Sequence, residues 1–351
     1  MNPKLFKAES TEFDGEGYGS FTRCVKCHVD QELGSTGVYD LEMTILADDP
    51  LLSILQVGSI IAVNPNMTDP IQAFVVEEIS KKIDAEVDIY ATHIAQHRAK
   101  LIPVAPVTAN NLTDAITDIM NNSLETNPFS LETKRTSLLG FNTIRPMSFR
   151  EILGGTEGSL LDVYSGEYIF DNYTITFVTK RGRDDGVVIA AGQNMTGFEL
   201  IEEFAWNDSA TGVLGYYYTD EDGLVSGTVQ YCDDHGIYPY EKTVTVDFTD
   251  VFDSVPTANQ VDLIAKGYIS TKGYPQVNLD VAFDHYDPSL RQKIRTMQLG
   301  DTVHISNPTY NTITTSRIVA MDYDVLAEQY NSITIGTLKA NINKVISEVK
   351  E

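Results

Sequence analysis

The stretch SFREILGGTEGSLLDVYSGEYIFDNYTITFVTKRGRDDGVVIAAG, residues 148–192, contains the clearest local folding signals in the chain. Ser148 and Glu151 have the spacing of a capping box, in which two side chains satisfy free backbone amides at a helix start. Gly154 and Gly155 predict the end of that helix, because glycine adopts the left-handed cap conformation without steric cost. These signals bracket one short helix.

The remainder of this stretch predicts strands and turns. Tyr168–Phe170 and Tyr173–Phe177 are β-prone runs joined by Asp171–Asn172, which predicts a two-residue hairpin turn. Residues 181–186 predict a second polar turn, and Val187–Ile189 predicts the next strand. No nucleophile, base and oxyanion donor can be assembled from these residues, so the stretch predicts structure rather than catalysis.

Two segments resemble one known family. GGTEGSLLDVYSGEY (154–168), a hairpin, an Arg-Gly turn and GVVIAAGQNMTG (186–197) are similar to the central signature of tail hub proteins from phages and prophages of Gram-positive bacteria. These hubs are the structural N-terminal part of the tail-associated lysin, or prophage tail endopeptidase, family. LGDTVHISNP (299–308) and RIVAMDYDVLAEQYNSITIG (317–336) resemble its closing segment. The resemblance covers most of the chain and implies a baseplate-hub-like structural protein.

Length and composition predict a multidomain globular protein. A chain of 351 residues is expected to form two to four domains, and a hydrophobic content of 42% is ordinary for such proteins. The sequence has neither an apolar run long enough for a membrane span nor an apolar signal core at its N-terminus, so we expect no export by a signal peptide. Three cysteines are too few for a disulfide framework, which predicts folding in the reducing bacterial cytoplasm.

The charge is strongly acidic, with 50 acidic against 25 basic residues and a net charge of −25. Binding to a nucleic-acid duplex needs clustered Lys and Arg to replace counterions, so sequence-specific binding is not expected. One interpretation is a solubilising surface. The other is an acidic channel wall that genomic DNA passes without adhering, because like charges repel. The family resemblance makes this second interpretation relevant.

We predict a mainly β fold with α+β inserts, containing two related β-barrel-like domains and smaller mixed domains. Alternating residues in Phe21–Val29 and Val38–Ala47 predict a hairpin around a turn at Gly34–Gly37. The predicted domains are a first β-barrel-like domain at 1–105, a small helical or mixed insert at 106–150, a central mixed β domain at 151–274 with a helix near 258–272, a second β-barrel-like domain at 275–337, and a terminal helix at 338–351.

Capping signals predict two further helices. Asn111 followed by Asp114 predicts a helix to about residue 121, and Thr257 with Gln260 forms a second capping box. The Asp-Gly pair at 222–223 predicts a hairpin between two β-prone runs.

A short internal repeat links the two ends of the chain. LQVGSIIAVNP (55–65) and MQLGDTVHISNP (297–308) share the order apolar-Gln-apolar-Gly, strand, Asn-Pro loop, and a strand follows each. The repeat predicts two related β-domains, so three copies would place six around one axis. The trimer itself is implied only by the family resemblance, together with a pseudo-sixfold inner wall that matches a sixfold tail tube.

Three residue clusters resemble catalytic or metal sites by composition alone. Cys24, Cys27 and His28 match the C-x-x-C-H haem signature, but haem attachment occurs outside the cytoplasm. Strand alternation would place the two thiols on opposite faces, and no second Cys pair completes a zinc site. We expect strand residues, with Cys27 buried.

His93 and His97 could share one face of a helix and bind a metal. Position 94 is Ile instead of the general-base Glu of H-E-x-x-H, and the spacing supplies no third ligand, so a structural role is favoured. Cys232 and His235 follow a strand and are interpreted as loop residues, because the intervening acids would raise the thiol pKa.

Acidic and aromatic clusters complete the candidates. The Asp-rich stretches at 184–185, 220–222 and 322–324 lack the calcium-loop spacing and are interpreted as turns. Tyr216–Tyr218 is the densest tyrosine cluster, in which alternation places Tyr217 opposite the other two, giving one core face and one possible interface.

The sequence therefore predicts a non-enzymatic structural protein with no catalytic residue, no cofactor site and no metal site. The family resemblance implies a homotrimeric hub at the distal end of a phage or prophage tail. Its implied partners are the distal tail protein and the tail tube and tape-measure proteins, with genomic DNA only in transit and no membrane span. The alternatives are a tail-associated cell-wall peptidase and a host-surface-binding adhesin.

Overall fold

The computed structural model describes residues 2–34, 38–156, 158–193, 195–203, 210–232, 241–252, 255–272, 276–283, 296–310 and 312–336. The chain is mainly β, which confirms the predicted fold class. Two compact units divide it: the first holds 1–161, 166–199 and 279–336, and the second holds 162–165, 200–278 and 337–351. Most of the predicted turn at Gly34–Gly37 and all of the predicted terminal helix lie outside the described residues.

Alternating apolar residues build the large sheet of the first unit, because side chains two positions apart share a face. Its N-terminal strands are β1 (Lys4–Phe6), β2 (Gly19–Ser20), β3 (Cys24–Glu32), β4 (Tyr39–Leu46), β5 (Ile60–Val63), β6 (Gln72–Lys81) and β7 (Glu86–His93). β3 and β4 pair as the predicted hairpin, and their inward residues, such as Val29 and Leu41, are wholly buried.

A segment of short elements follows β7. These are α1 (Ile94–His97), β8 (Pro103–Val104), β9 (Thr108–Ala109), α2 (Leu112–Asn121), β10 (Ser130–Thr133), β11 (Phe141–Asn142) and β12 (Met147–Ser148). α2 begins at Asn111, whose side chain accepts a hydrogen bond from the Asp114 amide, as predicted. The helix buries Leu112 and Ile119 on one face.

The quoted stretch begins with α3 (Phe149–Leu153), α4 (Leu160–Tyr164), β13 (Glu167–Asp171) and β14 (Thr174–Val178). The capping box between Ser148 and Glu151 is present, and α4 was not predicted. Asp171 pairs with Thr174, so the hairpin turn is Asn172–Tyr173, one residue later than predicted. Asn172 has a φ of 51°, which fits an Asx residue in a tight turn.

The remaining strands of the large sheet are β15 (Asp184–Ala190), β16 (Met195–Glu203), β20 (Gln276–Phe283), β21 (Thr302–Asn307), β22 (Thr312–Asp324) and β23 (Gln329–Gly336). Neighbouring strands follow the order β16-β20-β23-β22-β3-β4-β7-β6-β5-β1-β2, and β15 pairs with β21 beside β22. β15 begins at Asp184, so the predicted polar turn at 181–186 is shorter than expected.

The internal repeat has the same backbone pattern at both ends of the chain. Gly58 and Gly300 lie 242 positions apart and have φ values of 88° and 91°. Their amides donate to Val76 and Ile318, which are also 242 positions apart, at 2.8 and 2.9 Å. The register of β5 with β6 matches that of β21 with β22 at the same offset. One shared backbone plan therefore builds β5–β7 and β21–β23.

The second unit contains a three-stranded sheet in the order β18-β17-β19, formed by β17 (Gly212–Thr219), β18 (Gly223–Tyr231) and β19 (Thr243–Asp247). Helix α5 (Ala258–Lys272) packs on it, starting at the predicted capping box of Thr257 and Gln260. The buried core of this unit consists of Ala210, Val213, Cys232, Phe248, Val261, Ile264, Ala265 and Ile269.

The helices of the described residues are all too short or too polar to cross a lipid bilayer.

Candidate functional surface: an acidic sheet face

Cys24 and Cys27 lie on one face of β3, so the prediction that they point to opposite faces is wrong. The register shifts between Cys24 and Lys26, and this β-bulge at Val25 moves the alternation by one residue. Val25 is therefore 52% exposed instead of buried. Burial, and then a hydrogen bond with the Cys24 thiol, raises the pKa of Cys27 well above its usual value. Such a thiol is a poor nucleophile at neutral pH.

His93 ends β7 and is wholly buried. Its Nδ1 accepts a hydrogen bond from the Ala95 amide at 3.2 Å, so Nε2 carries the proton and donates to Gln72 Oε1 at 3.0 Å. The ring stacks on Tyr39 with centroids 4.2 Å apart. Burial lowers the pKa of His93 to about 3, so the imidazole is neutral at physiological pH.

Gln72 connects this buried histidine to the hairpin of β13 and β14. Its Nε2 donates to Asp171 Oδ1 at 3.0 Å, and its Oε1 accepts from the Asn172 amide at 2.9 Å. Asn172 in turn accepts from the Ala73 amide at 2.9 Å. These bonds satisfy the buried polar groups and attach the hairpin to β6.

His97 does not combine with His93 in a ligand set. It ends α1, where its Nε2 lies 3.9 Å from Glu77 Oε1, and burial lowers its pKa. Within the described part of the chain, no group of three His, Cys, Asp or Glu side chains has metal-binding geometry.

Cys232 is buried in the core of the second unit, while Asp233, Asp234 and His235 lie outside the described residues. Tyr217 is buried and donates its hydroxyl hydrogen bond to Asp222 at 2.9 Å, whereas Tyr218 is half exposed. The predicted division of the tyrosine cluster into two faces is therefore what the structure shows.

The two segments that carry the family resemblance meet in the first unit. The Arg317 guanidinium makes two hydrogen bonds to the Glu167 carboxylate, at 2.8 and 2.9 Å, and both side chains are mostly buried. Burial would raise the pKa of Glu167, but the bonds from Arg317 and the Arg181 amide lower it overall. Gly182 lies so close to Gly300 that a Cβ at Gly182 would come within 2.1 Å of the Gly300 carbonyl.

The acidic stretch 322–324 is part of a strand, so its interpretation as a turn is wrong. Asp322 and Asp324 end β22, and Asp184 and Asp185 begin β15; of the three stretches only 220–222 forms a turn. β22 pairs with β3 so that Asp322 lies opposite Asp30 and Asp324 lies opposite His28.

One face of three neighbouring strands, β22, β3 and β4, carries a cluster of acids. Across β3 and β4, Asp30 lies opposite Asp40, and His28 lies opposite Glu42. We call the set Asp30, Asp40, Glu42, Asp322 and Asp324 the acidic face. Its members recur at every second position, Asp40 and Glu42 in β4 and Asp322 and Asp324 in β22, because residues two apart share one side of a strand.

The electrostatics of the acidic face follow from crowding of like charges. Burial first, and then Asp322 and Glu42, raise the pKa of Asp30 to about 6. Burial and the hydrogen bond to Asp40 raise the pKa of Tyr90 to about 12. The Lys26 amine lies 2.9 Å from the Glu42 carboxylate, and the His28 imidazole lies 3.5 Å from Asp322. The face therefore keeps an excess of negative charge and repels polyanions.

The sequence offers an acidic channel wall as one of two interpretations of its charge, without locating the acids. The available signal was the alternation of acids in three separate strands, Asp30-x-Glu32, Asp40-x-Glu42 and Asp322-x-Asp324. Their convergence on one face depends on the pairing of β22 with β3, which joins residues about 290 positions apart and has no local signature.

Comparison with known proteins agrees with this architecture. Residues 183–346 match the family described as Prophage endopeptidase tail. Prophage tail protein gp18 from Listeria monocytogenes is similar over 100% of this chain and 98% of its own, with a TM-score of 0.64 and 15% identity. The tail protein of prophage MuSo2 from Shewanella oneidensis is similar over 99% and 100%, with a TM-score of 0.60 and 11% identity.

A tail protein from Neisseria meningitidis is similar over 98% of both chains, with a TM-score of 0.58 and 8% identity. Comparison with curated proteins gives no significant match. The family resemblance found in the sequence is thus confirmed by the match of residues 183–346 and by the shared fold.

Proposed function

Because residues 183–346 match the family described as Prophage endopeptidase tail and the chain shares its fold with prophage tail proteins, we propose that it is the structural hub at the distal end of a siphophage-type tail. In this proposal three copies form a ring that joins the distal tail protein and tail tube to the tip. The protein folds in the bacterial cytoplasm and resides in the virion. The two copies of one backbone plan in each chain support the proposal, since three chains would supply six related elements to match a sixfold tube.

The acidic face is the observation that carries the further proposal of a DNA passage. A sheet face that spans β22, β3 and β4 and presents carboxylates at Asp40, Glu42, Asp322 and Asp324 suits a channel wall. Duplex DNA carries one negative charge per about 1.7 Å, so it would adhere to a basic wall and slide past an acidic one. We therefore assign the acidic face to the lumen of the ring.

We propose a structural rather than enzymatic role. The Listeria and Shewanella proteins with this fold are described as tail proteins, whereas the matching family carries the word endopeptidase in its description. The alternative of a cell-wall peptidase is tested by incubating the chain with purified cell walls. Release of peptide fragments would support the alternative, and no release above a heat-denatured control is expected.

The location in the tail is tested by gold-labelled antibodies on phage particles induced from the lysogen that encodes the chain. We expect label at the distal tip of the tail. Label along the tube, at the head, or on no particle would contradict a hub.

The passage is tested by reversing charge on the acidic face. Particles carrying Asp40→Lys with Glu42→Lys should assemble and adsorb normally but release DNA more slowly, because DNA would adhere to the new basic patch. Glu125→Lys with Glu132→Lys is the matched control, since both are exposed and the net charge changes by the same amount. Equal release from both variants would contradict the passage.

A further inference from the structure

The last residues of β6 form a sheet edge with which no other described strand pairs. β5 pairs with β6 only from Gln72 to Val75, and β7 continues along the opposite side as far as Lys81. The Lys82 amide donates to Glu86 at 2.9 Å, on the β7 side. Because an antiparallel strand presents alternate residues to alternate neighbours, the backbone groups of Ile79 and Lys81 point away from β7. Among the described residues no strand pairs with this edge beyond Val75.

The repeat shows what such an edge binds when it is covered. At the offset of 242 positions, Ile79 and Lys81 correspond to Met321 and Tyr323 at the end of β22. That end of β22 has β23 on one side, as β6 has β7, but its other side pairs with β3. The same backbone groups that point outward on β6 are therefore hydrogen-bonded on β22.

The side chains next to these strand ends differ in the same way. Val325 follows β22, is 2% exposed and donates its amide to Cys27 of β3 at 2.9 Å. Its counterpart Ile83 follows β6 and is fully exposed. A single exposed isoleucine needs no explanation by itself, but Ile83 lies beside an unpaired strand edge, at the position that the sister repeat buries against β3.

The order of strands identifies the missing neighbour. The order of neighbouring strands β16-β20-β23-β22 in one half of the sheet matches the order β3-β4-β7-β6 in the other half. β16 therefore occupies in its half the place that β3 occupies in the other. β16 also ends the sheet. Each chain thus offers one β16-type edge and one β6-type edge, which is the arrangement of a head-to-tail contact.

We propose that β16 of a second copy pairs with the edge Glu77–Ile83 of β6, as β3 pairs with the end of β22 inside the chain. Backbone hydrogen bonds supply the contact and Ile83 is buried by it, which is strand addition between identical subunits. This inference rests on the proposed ring, because a contact that repeats head to tail assembles into a ring when its rotation closes.

Two substitutions on the β6 edge test the contact. Lys81→Pro removes an amide that faces the open side, so the isolated fold should persist while pairing is blocked. Ile83→Asp places a charge where burial is proposed. Leu138→Asp is the matched control, because Leu138 is also almost fully exposed, at 93%, and lies between β10 and β11, outside the large sheet.

Sedimentation velocity of the full chain is the first measurement, with circular dichroism to verify folding. The unsubstituted chain and Leu138→Asp should sediment as trimers of about 117 kDa, three times 38.9 kDa. Lys81→Pro and Ile83→Asp should require at least about tenfold more protein to assemble, which for a trimer is about a hundredfold change in the dissociation constant, or about 2.8 kcal/mol per trimer. Trimers unchanged by both substitutions, or an unsubstituted chain that stays monomeric, would overturn the inference.

Hydrogen exchange provides a readout of the edge itself. The amides of Ile79 and Lys81 should become protected when the chain assembles and exchange freely in monomeric Ile83→Asp. A trimer in which these amides still exchange freely would overturn the inference while leaving the ring intact. Gold labelling of the tail tip is independent of these results, so failure of the hub proposal is distinguishable from failure of the contact.

Discussion

Alanine at Gly300 should destabilise the chain much more than alanine at Gly58, although the two glycines occupy equivalent positions of the repeat. Their φ values of 91° and 88° put the same strain on any side chain. This strain costs about 1 kcal/mol at each position. Around Gly58 nothing lies within 4 Å of an added Cβ, so strain is the whole expected effect there.

Gly300 has close neighbours as well as strain. An added Cβ would lie 2.8 Å from Arg181 Cγ, 2.9 Å from the Arg181 carbonyl oxygen and 3.0 Å from the Arg317 guanidinium. Overpacking of this kind adds about 1–3 kcal/mol. Because Arg317 also holds Glu167, a shift of its guanidinium would weaken that ion pair. We expect a total loss of about 3 kcal/mol for Gly300→Ala.

Urea unfolding at pH 7, followed by circular dichroism, measures both variants against the unsubstituted chain. With the slope m unchanged, the midpoint should fall about three times further for Gly300→Ala than for Gly58→Ala. Equal losses would show that the turn of residues 181–183 does not pack on Gly300 in solution. A loss well above about 1 kcal/mol for Gly58→Ala would refute the assignment of its effect to backbone strain alone.

Three further changes test the electrostatics of the first unit. His93→Gln should flatten the pH dependence of stability. The pKa of His93 in the folded chain, about 3, lies below its unfolded value, so stability that is present above about pH 6.5 is lost as pH falls, by about 2 kcal/mol at pH 5. Equal slopes of unfolding free energy against pH for the variant and the unsubstituted chain, measured by urea unfolding, would contradict this. Asp30→Asn should stabilise the chain at pH 8 by about 1 kcal/mol after allowance for solvent screening. The pKa of Asp30 is raised to about 6 in the folded chain, so the unsubstituted chain loses stability as pH rises through that value. The stabilisation by Asp30→Asn should vanish near pH 4. Glu167→Gln should cost about 3 kcal/mol in urea unfolding, since the mostly buried Arg317 loses its countercharge, and a loss under about 0.5 kcal/mol would contradict the buried pair.

Local signals in the sequence predicted much of the fold. The capping boxes at Ser148 and Thr257 and the cap at Asn111 form as expected, because each depends on residues three positions apart. The hairpin of β3 and β4 also follows from alternation alone. These features could be predicted from the sequence because the residues that determine them lie within a few positions of each other.

Features that depend on pairing between distant strands could not be predicted from the sequence. The bulge at Val25 leaves no mark in the composition of β3, yet it reverses the predicted faces of Cys24 and Cys27. The interpretation of Asp322 and Asp324 as a turn, made because the stretch lacks calcium-loop spacing, is wrong, although Asp is depleted in strands. They are tolerated in β22 because their side chains remain partly exposed, at 27% and 23%. The candidate surface thus depends on register, which local propensity does not determine.

The two halves of the repeat share the backbone features that the fold requires and differ in the strands that lie beside them. Both keep the glycine turn and a bulge after the equivalent residues Val76 and Ile318, since these set the course of the strands. Both close the following turn with a residue of positive φ, Ala85 at 64° and Glu328 at 54°. The two halves then diverge, because β22 has a further register shift against β23 after Asp322 that β6 lacks against β7. β3 lies beside the end of β22, where Val325 is buried and donates its amide to Cys27, whereas Ile83 is fully exposed and no described strand pairs with its edge.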